Sequence, residues 1–282
     1  MSYTNEVSMS ENQDKQDAFV IAAMSNKGGP GKTSSTTNTA VALALLGKRV
    51  LVVDGDQQAN ATEVLANGKK EYALYGNTVC DLYNNQKFDV REAIIPAKNG
   101  DQDIPNLFLI PSDPSFERVM ENCMARPHRE KILMRHLKPV MEEFDFIFID
   151  CSPALNLSAS NAAFMADHVL IPIDGGSFSV TGAQTVLNYL DEIKEEEFTH
   201  YSLFRNEYNS SKKVMNNFLQ GELERIERFK NHVLKTRIRT DENVAQAQVI
   251  FKPVYFYNRN ALVINDYKSM AKEMMYLKEG TA

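Results

Sequence analysis

Lys27-Gly28-Gly29-Pro30-Gly31-Lys32-Thr33-Ser34 is the stretch whose residue types and spacing most directly specify chemistry. A polyphosphate needs many N–H donors packed close to its oxygens. Glycines let a backbone approach and turn its amides inward. A helix beginning at the end of the loop adds its N-terminal amides and the positive end of its dipole. Lys32 would supply a point charge to the β- and γ-phosphates of a triphosphate, and Thr33 a hydroxyl to Mg2+. Pro30 has no N–H, so one amide is missing from this cradle. Two carboxylate sites complete the set. Asp54 and Asp56 follow Val52-Val53, and residues two apart at a strand end face the same side. Asp150 closes Phe146-Ile147-Phe148-Ile149, where a carboxylate would hold a water on Mg2+ beside Thr33. Phosphoryl transfer to water needs this combination: donors for the phosphates, an acceptor to orient water, and carboxylates to organise the metal shell.

Such groups work only when fixed at the ends of buried strands. Phe19-Val20-Ile21-Ala22-Ala23 precedes the glycine loop, and similar runs are Val50-Leu51-Val52-Val53, Leu107-Phe108-Leu109-Ile110, Phe146-Ile147-Phe148-Ile149 and Val169-Leu170-Ile171-Pro172-Ile173. Tyr201-Ser202-Leu203-Phe204 and Val254-Tyr255-Phe256 are later strand candidates. Runs apolar on both faces mark a mostly parallel sheet covered by helices. Helical patterns lie between them at residues 33–46, 114–124, 128–143, 181–197, 212–230 and 262–277. The alternation predicts an α/β, doubly wound, mostly parallel sheet with helices on both faces. Residues 67–105 are less regular and read as an insertion over one face. With no dividing linker, the expectation is a flexible tail over residues 1–17 and a single domain over 18–282.

Composition narrows the classes. The chain has 282 residues, 43% hydrophobic, and a formal charge of −6, the proportions of an ordinary globular protein large enough to bury a two-sided core. The longest apolar run, Ala40 to Leu46, is far short of the ~20 residues of a membrane span. The polar N-terminus lacks a signal-peptide pattern, so a cytoplasmic location is expected. Cys80, Cys123 and Cys151 are widely spaced without a CxxC pair, which reads as reduced thiols.

A second lysine, Lys27, opens the glycine loop. The pattern resembles the deviant Walker A motif of the ParA/MinD family of P-loop ATPases. Asp54-Gly55-Asp56-Gln57-Gln58-Ala59-Asn60-Ala61-Thr62 resembles that family's second motif, with Gln57 and Ala59 departing from the usual proline and glycine. Asp150-Cys151-Ser152-Pro153 resembles its Walker B turn, and Phe251-Lys252-Pro253-Val254 its "GKPV" turn. Similarity covers roughly residues 19–277. The resemblance implies that Lys27 reaches across a dimer interface to the partner's nucleotide, adding positive charge to the transferring phosphoryl group. It implies catalytic roles for Lys27, Lys32 and Asp56, with Asp56 positioning the attacking water. The implied metal set is Thr33, Asp54 and Asp150, with Asp54 supporting either the magnesium shell or the lysine. The segment Arg205-Asn206-Glu207-Tyr208-Asn209 stands where relatives hold the adenine.

The negative charge is unevenly distributed. Residues 1–198 carry a net −11 and residues 199–282 a net +5. A locally basic surface is the footprint of a phosphate-backbone binder. The expected DNA contacts are Lys235, Arg237 and Arg239, then Lys212 and Lys213; Arg237 and Arg239 share one side of an extended stretch with no acidic neighbour before Asp241. The function implied is an ATPase that forms a homodimer with ATP sandwiched at the interface and binds non-specific DNA over the nucleoid. It would drive plasmid or chromosome partition, with a ParB-like centromere-binding protein stimulating hydrolysis.

Relatives that position other cargo share these motifs. Too few residues precede the loop for the N-terminal helix-turn-helix domain that some relatives carry. A MinD-like membrane regulator would end in a basic amphipathic helix, and little positive charge follows Leu277. An electron carrier would need two cysteines per subunit at a shared cluster, and the surroundings of Cys123 and Cys151 lack its glycines. A tyrosine kinase of related fold would carry a tyrosine-rich tail, which is missing.

Overall fold

The computed structural model describes residues 17–68 and 76–281. The expected tail at 1–17 therefore lies almost wholly outside the described residues, as does part of the irregular segment at 67–105.

The five both-face-apolar runs and the Tyr201–Phe204 run form strands whose successive side chains enter opposite layers. The strands are β1 (Phe19–Ala23), β2 (Val50–Gly55), β3 (Ile95–Asn99), β4 (Gln102–Ile110), β5 (Phe146–Cys151), β6 (His168–Ile173), β7 (Tyr201–Tyr208) and β8 (Val233–Arg239). They build one eight-stranded sheet in the order β3-β4-β2-β5-β1-β6-β7-β8. All neighbours are parallel except β3, which pairs antiparallel with β4 at one edge. Within the irregular segment, residues 79–93 pack over one face of the sheet, and the segment then runs into an edge hairpin.

The helices in chain order are α1 (Lys32–Leu45), α2 (Asn60–Leu65), α3 (Val79–Asn84), α4 (Phe116–Cys123), α5 (Ile132–Leu137), α6 (Leu157–Met165), α7 (Ser177–Lys194), α8 (Lys213–Arg225), α9 (Glu242–Val249), α10 (Val254–Tyr257) and α11 (Val263–Thr281). Val20, Leu51 and Ile147 enter a core layer with residues of α3 to α8, while Phe19, Val50 and Phe146 enter a second layer with residues of α1, α2, α10 and α11. This two-layer burial is the dominant favourable term, at about 25 cal/mol per Å2 of apolar surface removed from water.

Two predicted elements come out differently. Val254-Tyr255-Phe256 is a helical turn, not a strand. Pro253 has no N–H to offer a ladder, and the run is apolar because Val254 and Tyr255 pack inward beneath the sheet. The helix expected over 128–143 is broken into a 3-10 turn, the short α5 and a second 3-10 segment, with Pro139 at the second break. The terminal α11 buries Tyr267, Met270, Ala271 and Met274 in the second core layer, so its apolar face is spent within the fold.

One tight approach joins the end of α2 to the turn before α10. Gly68 has φ +74°, and a Cβ there would stand 2.6 Å from Cδ2 of Phe251. Phe251 itself has φ +54°, a left-handed backbone uncommon for an aromatic residue. Gly68→Ala combines backbone strain with overpacking and is expected to lower stability by roughly 2–4 kcal/mol. Urea unfolding should show a lower midpoint with an unchanged slope; an unchanged midpoint would contradict the packing described.

Candidate functional site

The ends of β1, β5 and β2 lie side by side, with Ala23 and Asp54 both in register with Asp150. This is the carboxyl edge of an open parallel sheet, where such folds place their ligand crevice. A cleft of about 760 Å3 opens there, walled by the glycine loop, Asp56, Pro153, Asn206, Arg239 and Gln248 among others.

The loop takes its shape from Gly29 (φ +83°) and Gly31 (φ +91°). A Cβ on Gly31 would fall 2.0 Å from Nδ2 of Asn206, so only glycine fits. Asn206 donates to the Pro30 carbonyl at 2.8 Å. Position 30 is thus used through its oxygen, and the missing proline amide takes nothing from that contact. On the far side, Gln248 donates to Ser34 Oγ at 2.7 Å.

Lys32 is 6% exposed, and its Nζ donates to the Lys27 carbonyl at 3.4 Å. Among the described residues it makes no ion pair. Burial holds its ammonium below the usual lysine range, against the pull of Asp150. Thr33 Oγ1 donates to Asp150 Oδ2 at 2.7 Å, while Asp150 Oδ1 is buried with no hydrogen-bond partner among the described residues. Burial, then the adjacent Asp54, pushes the Asp150 carboxyl up to about 8. A buried cation without an anion and a buried carboxylate oxygen without a donor have complementary needs. With the Thr33 hydroxyl between them, this donor set fits a phosphate chain carrying a divalent cation.

Asp54 is differently placed. Its Oδ2 accepts from Thr62 N at 2.8 Å and Thr62 Oγ1 at 2.7 Å, and its Oδ1 from Asp56 N at 3.1 Å. Burial raises its carboxyl to about 6 against these bonds. With both oxygens engaged, Asp54 shapes the loop that presents Asp56. Thr62 Oγ1 also accepts from Ser112 N at 2.9 Å, tying α2 to the end of β4. Asp56, 6% exposed, accepts from Gln58 N at 3.0 Å and faces the cleft.

Lys27 stands apart from Lys32. Its side chain is 44% exposed, and its Nζ lies 2.6 Å from Asp174 Oδ2. Asp174 and Gln248 both escaped the sequence reading. Asp174 follows an apolar strand directly, the same signal that singled out Asp54 and Asp150, and could have been found that way. Gln248 carries no such signal.

The five basic residues separate. Lys212, Lys213, Lys235 and Arg237 are exposed. Arg237 lies 5.0 Å from the Tyr208 ring centroid, as does the buried Arg205. Arg239 is held elsewhere: its Nε and Nη2 meet Asp266 Oδ2 and Oδ1 at 2.6 and 2.7 Å, and it walls the cleft. Arg239 thus has an acidic partner from α11 that its neighbours in sequence do not reveal.

The carboxyls predict an unusual pH response. Asp150 has a folded pKa of about 8, above the ~3.9 of an unfolded chain, so its charged form is disfavoured by folding. This contribution is most favourable below about pH 4 and declines as pH rises toward 8. In nucleotide-free protein with chelator, Asp150→Asn should be more stable than the parent at pH 8.5, by on the order of 1–3 kcal/mol. The difference should shrink toward pH 5. Urea unfolding across this range checks it, and a pH-independent difference would contradict it.

The AAA domain family matches residues 18–203. The sporulation initiation inhibitor protein Soj of Bacillus subtilis is 30% identical over 258 residues, covering 90% of this chain and 97% of Soj. A plasmid partition protein from Borrelia burgdorferi, solved with AMPPNP, superposes with a TM-score of 0.71 at 22% identity, covering 93% of this chain and 99% of that one. Cobyrinic acid a,c-diamide synthase from Mycobacterium smegmatis, solved with an ATP analogue and magnesium, gives a TM-score of 0.76 at 21% identity, covering 92% and 94%. The structural likenesses establish the fold; the family match and the near-complete alignment with Soj establish that this chain belongs to the ParA/Soj family of P-loop ATPases.

Proposed function

We propose that this protein is a partition ATPase. It binds ATP with Mg2+, self-associates on the nucleotide, holds non-specific DNA and is released when a centromere-binding partner of ParB type stimulates hydrolysis. The observation that carries this reading is the division between the two loop lysines. Lys32 is sunk into the phosphate cradle of its own subunit, whereas Lys27 stands outside it on an exposed stem. A lysine so placed suits a phosphate on another subunit. Thr33 and Asp150 would hold Mg2+, which when bound offsets negative charge on the phosphate oxygens. Lys32 and the loop amides would hold and orient the phosphate chain. Asp56 would accept a hydrogen bond from water and align it for in-line attack, while the Asp54–Thr62 clamp keeps Asp56 in place. Asn206 sits where the loop meets the β7 end, within the segment expected at the adenine.

Two alternatives lose support. The apolar face of α11 is buried in the core and is not available to lie on a membrane surface. Cys123 and Cys151 are both buried in the core, not presented at a surface that two subunits could share.

The test is DNA binding with ADP, ATP and a non-hydrolysable analogue across a salt series. Binding that requires the triphosphate, ignores sequence and falls steeply with salt supports partition; binding indifferent to nucleotide would sink it. Arg237→Glu with Lys235→Glu should weaken binding on all sequences and lower the salt slope by about one for each phosphate no longer neutralised. Asp56→Ala should keep ATP affinity within ~3-fold yet cut turnover by at least ~10²-fold. Equal losses in affinity and turnover would remove Asp56 from the water-positioning role.

A further inference from the structure

Lys27 and Asp174 come from opposite halves of the chain and meet where β1 and β6 end side by side. Their contact is unequal. Asp174 is only 13% exposed, and its second oxygen, Oδ1, accepts from the Gly176 amide at 2.9 Å and from the Ser179 hydroxyl. The carboxylate is therefore locked from behind by its own loop. The lysine that meets it is a long arm on an exposed stem. Gly176 keeps the pocket open: a Cβ there would stand 3.1 Å from Asp174 Oδ1 and 3.7 Å from Lys27 Nζ. The arrangement is a preorganised acceptor for one ammonium group, built on the subunit that owns the lysine.

We propose that Asp174 is a positioning residue that latches Lys27 to its own subunit, and that nucleotide-driven self-association exchanges this latch for phosphate oxygens on a second copy. The inference rests on the dimer reading above. One ammonium cannot sit at 2.6 Å from a fixed carboxylate and at the same time reach a phosphate on another molecule. The two contacts compete, and the latch sets the threshold for association. It also keeps the lysine from collapsing into its own cradle, where Lys32 already stands and a second positive charge would be repelled. Each closure breaks one charge-assisted contact and makes another, so the balance between states stays near even and responds to nucleotide.

Asp174→Asn keeps the size and the acceptor for Gly176 while removing the charge. In the nucleotide-free protein, acylation of Lys27 by an amine-reactive ester, read by peptide mass spectrometry, should quicken about 2- to 5-fold, and Asp174→Glu should slow it again. In sedimentation velocity with a non-hydrolysable ATP analogue, Asp174→Asn should lower the protein concentration at half-association by ~3- to 10-fold. The same substitution in a Lys27→Ala background should produce no shift, a result that a merely structural role for Asp174 would not give. Unchanged Lys27 labelling, or an unchanged association midpoint in a parent that does associate, overturns the latch. A parent that fails to associate with the analogue at any concentration overturns the dimer reading itself and the gating with it.

Discussion

Three ionisable side chains sit almost wholly out of water: Lys32 at the start of α1, and Asp54 and Asp150 at the ends of the adjacent strands β2 and β5. Buried charge without a close partner destabilises a fold by several kcal/mol unless hydrogen bonds or ligands compensate. Much of the surrounding structure serves to hold these groups despite that cost. Apolar layers on both faces of β1, β2 and β5 fix the strands, and the strand ends then have no freedom to turn the charges outward. Asp54 is settled from within by Thr62 and the Asp56 amide. Lys32 and one oxygen of Asp150 are not settled, and they flank the cleft. The groups left wanting are those a charged ligand would satisfy, so binding and folding draw on the same electrostatic deficit.

Distant chain closes the cleft. Asn206 at the end of β7 anchors the Pro30 carbonyl, Gln248 of α9 anchors Ser34, and Arg239 at the end of β8 is fixed by Asp266 of α11. None of these contacts is local, yet each acts on the loop or its immediate wall. The strand order explains how. Because β1 lies between β5 and β6, the loop after β1 is reached from one side by the carboxylates of β2 and β5 and from the other by the ends of β6 and β7. Phosphate-facing chemistry comes from the first side, and the partners of Lys27 and Pro30 from the second.

The same distinction governs how much could be read in the sequence. Strands apolar on both faces, the glycine loop and the carboxylates at strand ends announce themselves locally, and the fold follows from their alternation. Val254-Tyr255-Phe256 misleads because burial beneath a sheet and burial within one leave the same apolar run; Pro253 was the discriminating residue. Asp54 was legible as functional, but its internal clamp was not, since its Thr62 partner enters through the start of α2 folding back onto β2. Arg239 looked unpaired because its neighbours in sequence are not its neighbours in space. Charge pairing across a fold has no one-dimensional signature, whereas burial periodicity does.

The ion pair that Arg239 makes with Asp266 bears on how DNA would be held under the proposed function. Lys212, Lys213, Lys235 and Arg237 remain exposed on a protein whose overall charge is −6. Each phosphate contact adds a roughly constant increment to the logarithm of affinity and about 0.9 to the salt slope. A handful of contacts opposed by an acidic body gives weak binding per subunit. Two subunits fixed together double the contacts, and affinity then rises multiplicatively because the second set binds at high effective concentration. A protein with a strong basic surface would hold DNA in every nucleotide state and could not be released. With a sparse one, occupancy of DNA under the proposed function would follow the state of association, and therefore whatever holds Lys27 on its own subunit or lets it cross.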